Sequence, residues 1–454
     1  MRKKLLDTFG AQVSSDHERY PADVKCLGFL YLYVGRYPRN NASRNTIQPK
    51  EFRVRGTGLS KHFSRFSPTS LPYWPLSGFY FFYFATVGIL MPYLGLYLQS
   101  LGFCPRQIGA VIAILATTKI VAPIVWGRLA DRRSGRVGIV RTGAIISVIA
   151  FTGAYFSPDA PFWLFVWWVL VAAVFGFFWN ASLPQVEAIT LSRLGEDTHR
   201  YARIRLWGSI GFILTVLLFG ELFERYELDM VLHGTLVLLI GLALSTALIP
   251  EHAGKSSHPK SGPIGAILKQ PRVIALLVAC FLMQVSHGPL YAFYSIYLDE
   301  HLYESNLIGK LWAVSVCAEV VLFMVMARIL KHVGLRSLFL SAFAVSALRW
   351  LLVAFFPMEV SVQVFAQLLH AITFGVFHKV AILLTHRFFA GNHQGQGQAL
   401  YNSAGFGAGY AAGALGGGFL WFHFDGYTTY LAAAGVSIVA FFIVWRWLDI
   451  ENSH

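Results

Sequence analysis

Three charged side chains fall in the middle of long apolar runs: Lys119, Glu319 and Arg349. A charge at the centre of a bilayer costs about 2.5–3.5 kcal/mol on insertion scales, so each needs a partner or a function. Glu319 and Arg349 are placed to pair. Measured from the basic ends of two consecutive runs, they lie about 15 Å and about 18 Å deep. A carboxylate beside a guanidinium can take up and release a proton; the bland alternative is a pair that only fixes helix packing. Lys119 has no acidic residue at matching depth in its own half of the chain. It is expected to face a wet cavity and receive a carboxylate from outside the protein. The structural alternatives are snorkelling, or a partner such as Glu319 across the cavity.

Histidines add titratable groups near neutral pH. His287 and His370 could relay a proton or hold a carboxylate, and His378 shares a face with His370. Gln284 and Tyr291 flank His287 at helical spacing. The expected substrate-binding set is therefore Lys119, Asn180, Trp207, His287, Tyr291 and His370. The expected proton-coupling set is Glu319, Arg349, His287 and His370. A lone intramembrane histidine is as often a hydrogen-bonded packing residue. Glu187, just past Pro184, could meet Arg203 and Arg205 as an inner gate or as a plain interfacial ion pair. Gly405, Gly409, Gly413 and Gly417 repeat at i, i+4. The GFGAG within them is no nucleotide loop, because no strand precedes it and no acidic residue follows at the needed distance. Small-xxx-small helix packing explains it. Cys26, Cys104, Cys280 and Cys317 have neither disulfide nor zinc spacing. No metal, cofactor or nucleic acid is expected.

The elements that position these residues follow from composition. Of 454 residues, 56% are hydrophobic and 13% charged, against about 25% charged in a soluble domain. Apolar runs of about 20 residues place twelve spans at 73–98, 107–129, 137–157, 162–186, 206–222, 231–249, 273–298, 307–329, 337–356, 362–386, 400–422 and 428–447. They must be helices, since unpaired backbone groups are intolerable in hydrocarbon. Alternate connections carry eighteen Lys and Arg on one side and only Arg106 and Arg225 on the other. The positive-inside rule then puts both termini in the cytoplasm.

The connection 250–272 is polar, basic and rich in Pro, Gly and Ser, and reads as a linker between halves 73–249 and 273–450. A repeat supports the division. Gly127-Arg128-Leu129-Ala130-Asp131-Arg132-Arg133-Ser134-Gly135-Arg136 follows span two. Its degraded echo, Ala327-Arg328-Ile329-Leu330-Lys331-His332-Val333-Gly334-Leu335-Arg336, follows span eight. Residues 1–72 carry thirteen Lys and Arg against five Asp and Glu. They read as a disordered basic extension, or as a start assigned too far upstream.

GRLADRRSGR resembles the loop signature between helices two and three of the major facilitator superfamily, with one residue inserted. YFATVGILMPYLGLYLQSLGF (83–103), YARIRLWGSIGF (201–212), FLMQVSHGPLYAFYSIYL (281–298), AEVVLF (318–323), LRW (348–350) and LLHAITFGVFH (368–378) resemble its phenylpropionate permease branch. That branch is close to the oligosaccharide and nucleoside proton symporters. The resemblance implies an all-α membrane protein of two six-helix pseudo-repeats that takes up a small organic acid with protons across a bacterial inner membrane. An aromatic acid such as 3-phenylpropionate is the specific expectation. It also implies that Gly127, Asp131, Arg132 and Arg136 stabilise one state of a conformational cycle, where a merely topogenic loop is the alternative.

Symport of an uncharged sugar or nucleoside stays open. An intramembrane enzyme would need a HExxH, GxSxG or similar cluster, and the sequence has none. A membrane sensor is a remote alternative, since 1–72 lacks the apolar content of a signalling domain. The expected partners are a small solute, protons and the bilayer, with the chain acting as a monomer.

Overall fold

Apolar runs of this length satisfy their backbone only by internal hydrogen bonds, and the chain is accordingly helical from end to end of its described part. The computed structural model describes residues 71–132, 135–195, 197, 199–251 and 264–449. The extension expected at 1–72 and the linker expected at 250–272 thus lie mostly outside the described residues. The helices are α1 Tyr73–Ser100, α2 Pro105–Arg132, α3 Arg136–Thr152, α4 Pro161–Leu194, α5 His199–Phe223, α6 Met230–Ala247, α7 Pro271–Glu300, α8 Ser305–His332, α9 Leu335–Phe355 and α10 Val360–Phe388. Next, Gln394–Asn402, Ser403–Gly409 and Tyr410–His423 run on without a break as α11, and Gly426–Trp447 forms α12. Most helices overshoot the apolar runs that announce them. Hydropathy marks only the lipid-embedded stretch, whereas backbone pairing continues into the polar flanks.

Eleven of these helices, α1–α10 and α12, are long and apolar enough to cross a membrane. The segment expected at 400–422 falls inside α11, which carries nine glycines and so has too little hydropathy to be counted with the rest. Two helices contain a wider, π-helical turn, at Ala371–Val376 in α10 and at Ser403–Gly409 in α11.

Packing follows the internal repeat. In the first segment α1 lies on α5 and α6, and α4 on α2 and α3; in the second α12 lies on α7 and α9, and α8 on α10. Between the segments α2 packs on α11, and α8, two hundred residues after α2, packs on α5. In each segment an arginine in the first turns of the third helix caps the end of the sixth. Arg141 of α3 donates to the carbonyls of Thr246, Ala247 and Ile249 at 3.4, 3.2 and 2.7 Å, closing the C-terminus of α6. Arg336 at the start of α9 donates to the carbonyl of Trp445 in α12 at 2.6 Å. Carbonyls in the last turn of a helix lack the usual intrahelical partner, and hydrogen bonds to charged groups are worth about 1.5–3 kcal/mol each when shielded. Arg141 is one-third exposed, so Arg141→Met is expected to cost about 1 kcal/mol. A melting curve of the detergent-solubilised protein checks this: an unchanged midpoint would show that the three carbonyls are held by other means.

The segments touch at one end and part at the other. A Cβ on Gly109 of α2 would lie 2.5 Å from the carbonyl of Ala414, and one on Gly418 of α11 would lie 2.6 Å from that of Pro105. Further down the same two helices, a Cβ on Gly127 or Gly395 would meet nothing within 4 Å among the described residues. The α5/α8 pair is equally tight at its matching end. Gly309 of α8 abuts the carbonyl of Val216, and a Cβ on Gly220 would lie 2.9 Å from that of Ser305. Gly109 and Gly309 are themselves two hundred residues apart. The cleft between the segments thus closes at the ends of α2, α5, α8 and α11 that carry few basic residues. Toward the connections that carry many, Gly127 and Gly395 make no such close approach among the described residues.

Candidate functional site

A polar cluster sits deep in the second segment, and its members come from four helices. Glu319 projects from the middle of α8, Arg349 from α9, His287 from α7, and Gln367, His370 and Thr373 from α10. His370 Nε2 lies 2.9 Å from Glu319 Oε1. Arg349 Nη1 lies 2.8 Å from His370 Nδ1 and 3.3 Å from Thr373 Oγ1, and Nη2 donates to Gln367 Oε1 at 3.0 Å. Arg349 and His287 are wholly buried. The direct Glu319–Arg349 pair expected from depth is therefore replaced by a relay, with His370 between the two charges. Depth along a helix does not specify azimuth, and the residue that fills the gap comes from a third helix.

The relay has a direction. A guanidinium only donates, so His370 Nδ1 accepts, its hydrogen sits on Nε2, and Glu319 receives it. With Glu319 ionised, the cluster holds one cation, one anion and a neutral imidazole. Burial of a charge is tolerable only with such pairing. His370 and Thr373 reach the same guanidinium nitrogen at the start of the π-helical turn of α10.

Lys119 stands on the other wall. Its Nζ lies 5.0 Å from the ring centroid of Tyr410 on α11, a cation–π contact. Among the described residues it has no acidic partner, and it does not pair with Glu319. A chain of rings leads from it to the relay. Tyr410 meets Tyr291 edge-on at 5.1 Å, Tyr291 lies 6.0 Å from His287, and His287 lies 6.0 Å from His370. Lys119, Tyr291, His287, His370, Glu319 and Arg349 thus belong to one continuous set. Gln284, one turn before His287, is buried with neither amide atom hydrogen-bonded among the described residues.

Other expected members lie elsewhere. Asn180 donates to Thr118 Oγ1 at 2.9 Å and to the carbonyl of Leu115 at 3.4 Å, and accepts from Tyr83 at 3.5 Å. Its amide ties α4 to α1 and α2, with both N–H donors engaged and one of the oxygen's two lone pairs in use. Trp207 donates to the Tyr73 hydroxyl at 3.1 Å and packs beside Trp74. That is the first turn of α1, at the helix end and away from the cluster. Aromatic type alone could not separate an end-anchoring ring from a binding one.

The expected Arg203 and Arg205 gate divides. Arg203 is exposed, while Arg205 lies over the Phe84 ring at 3.8 Å, within electrostatic reach of both Glu187 and Glu319. Residues two apart on a helix point to different faces, so only one can look inward. Glu187 lies beside Tyr201.

Gly127 lies in the last two turns of α2 with no described neighbour against its Cβ position, and Arg136 lies 3.5 Å from Gln185 Oε1. The side chains of Asp131 and Arg132 lie outside the described residues. The glycine stripe of α11 lies against α7: a Cβ would sit 3.5 Å from the carbonyl of Cys280 at Gly405, 2.5 Å from that of Phe281 at Gly409 and 3.2 Å from Pro289 at Gly417, and Gly413 abuts the carbonyl of Val285. His378 lies 2.7 Å from the Tyr401 hydroxyl and stacks on Phe374, which stacks in turn on His370. Gln367, Thr373 and Tyr410 were not foreseen. Neutral polar residues in an apolar run give no signal beyond their presence.

A helical bundle with a cleft between two repeat-related segments, and a buried ionic cluster facing it, is the architecture of a secondary transporter. Residues 73–432 match the MFS_1 like family, and the chain belongs to it. It is therefore a multi-pass membrane transporter of the major facilitator superfamily and not an enzyme. It is 25% identical over 372 residues to the probable 3-phenylpropionic acid transporter of Escherichia coli (strain K12), covering 80% of this chain and 95% of that one. It is 26% identical over 347 residues to the maltose permease of Geobacillus stearothermophilus, covering 75% and 86%. Among solved structures, a mutant form of the nucleoside transporter NupG superposes with a TM-score of 0.74 at 19% identity. That match covers 83% of this chain and all of the other, a likeness of fold.

Proposed function

We propose that this protein imports a small organic anion together with protons across the bacterial inner membrane. The observation that carries the reading is Lys119. It is a cation without an acidic partner among the described residues, joined by Tyr410, Tyr291 and His287 to the Glu319–His370–Arg349 relay. A carboxylate from the solute would neutralise Lys119, and the flanking tyrosine rings suit an aromatic body, which favours 3-phenylpropionate. The relative in Escherichia coli bears that substrate in its name.

In this reading the halves 73–249 and 273–450, joined by 250–272, rock about the cluster. Twelve spans place both termini in the cytoplasm, with α11, flanked by α2 and α7, as the span that hydropathy undercounts. The open end of the cleft then faces inward. Glu319 accepts a proton from outside and releases it inside, while Arg349 keeps the emptied carboxylate charged. Gly127, Asp131, Arg132 and Arg136, with Glu187 and Arg205, close the inner end in the opposite state. The chain acts as a monomer.

A second reading, symport of an uncharged sugar or nucleoside, draws on the maltose permease and on NupG. Uptake of radiolabelled aromatic acids, sugars and nucleosides into energised vesicles, with and without an uncoupler, separates the two. Uptake of an aromatic acid that collapses with the uncoupler supports the first reading. Uptake of sugar or nucleoside alone supports the second.

Lys119→Met supplies an independent check. Loss of one charge-assisted contact of about 1.5–3 kcal/mol is expected to raise the KM for an acid by roughly tenfold or more. A neutral solute would leave KM unchanged.

A further inference from the structure

Thr373 is the only side chain among the described residues that hydrogen-bonds both Arg349 and His287. Its Oγ1 lies 3.3 Å from Arg349 Nη1 and 3.3 Å from His287 Nε2, and the residue is wholly buried in the π-helical turn of α10. The donor order follows from the partners. His287 Nδ1 lies 2.9 Å from the carbonyl of Met283, which only accepts. Nδ1 therefore carries the imidazole hydrogen, and Nε2 is left as an acceptor. Arg349 only donates. Thr373 consequently accepts from Arg349 and donates its single hydroxyl hydrogen onward. That hydrogen has two acceptors in reach, His287 Nε2 and, at 3.5 Å, the carbonyl of His370.

We infer that Thr373 is a positioning residue that couples the ring-lined side of the chamber (His287, Tyr291, Tyr410, Lys119) to the proton-accepting side (Glu319, His370). This inference rests on the proton-coupled reading above. When Glu319 takes a proton, the His370–Glu319 hydrogen bond loses its charge assistance, and the guanidinium turns more of its hydrogen bonding to Thr373. A hydroxyl that accepts more strongly also donates more strongly, which fixes His287 and, through it, the Tyr291 ring beside Tyr410. With Glu319 ionised, the hydroxyl is free to turn to the His370 carbonyl, and His287 is released. No bond to carbon changes; one hydroxyl hydrogen changes acceptor.

The test compares Thr373→Ser with Thr373→Ala in full-length protein reconstituted into proteoliposomes. Both variants lose the methyl group, and only serine keeps the hydroxyl. The measured quantities are accumulation of radiolabelled 3-phenylpropionate driven by an imposed pH gradient, its dependence on external pH, and counterflow exchange without a gradient. Thr373→Ser is expected to remain within about threefold of the parent protein. Thr373→Ala is expected to lose about tenfold or more of gradient-driven accumulation, the equivalent of one charge-assisted hydrogen bond, and to show a flattened pH profile with counterflow retained. Equal behaviour of the two variants overturns the role of Thr373. Glu319→Gln run in parallel keeps the premises apart: if it still accumulates solute against a gradient, the proton-coupling reading fails instead. A substrate-free measurement decides the geometry. In histidine-selective 15N NMR spectra the His287 Nε2 resonance should shift in Thr373→Ala and hold in Thr373→Ser. Identical spectra for both overturn the inference.

Discussion

Glu319→Gln is expected to abolish solute accumulation driven by a pH gradient, by about two orders of magnitude, while exchange of solute across the membrane persists within a few-fold. Glutamine keeps the volume and can still accept the Nε2 hydrogen of His370 through its amide oxygen. It cannot change charge. In the parent protein, falling external pH favours the protonated carboxyl at the outward-facing stage, and higher internal pH favours its release. Accumulation should therefore rise as external pH falls, and the variant should lose that slope. The change also leaves Arg349, wholly buried, without its anion. Removing one member of a buried ionic set costs up to about 3–5 kcal/mol, so the melting point is recorded beside transport. Counterflow at parental rates with no accumulation is the expected pattern. Normal accumulation would show that the coupling proton rides elsewhere.

The second large effect is conformational. Gly309→Leu should prevent the α5/α8 contact from closing, because even a Cβ there would meet the carbonyl of Val216 closer than real Cβ contacts come. Gly109→Leu should do the same at the α2/α11 contact, its repeat counterpart. Neither change alters a charged group. A cycle that needs this end shut is expected to slow by at least about tenfold, the effect of roughly 1.4 kcal/mol on one state. Ala292→Cys, in a background freed of native cysteines, reports the state directly. Ala292 of α7 is buried between the segments, with its carbonyl against Gly95 of α1. A membrane-impermeant thiol reagent added from outside should label that position faster in the Gly309→Leu protein than without it. Unchanged labelling together with unchanged transport would remove this end of the cleft from the cycle.

These two expectations draw on different layers of information. The three intramembrane charges were legible from residue type alone, since lipid makes an unexplained charge costly. Their partners were not. His370 stands between Glu319 and Arg349 because three helices converge there, and hydropathy carries no record of which helix faces which. Arg205 and Arg203 look equivalent in sequence, yet one lies over the Phe84 ring and the other faces outward. Asn180 and Trp207 have the right chemistry for a binding wall but are already engaged by Thr118 and Tyr73.

By itself, the order of residues determined that the chain is a helical membrane protein with a repeat, because apolar length and loop charge are local quantities that lipid and water read directly. It determined eleven helices long and apolar enough to cross a membrane and the packing use of glycine in α11, whose poor hydropathy is the cost of that use. Tertiary structure alone decided the relay, the isolation of Lys119 opposite it, the two π-helical turns and the end at which the cleft is shut. Each of these depends on the azimuth of one helix against another, and azimuth is set by side-chain packing summed over neighbours distant in the chain.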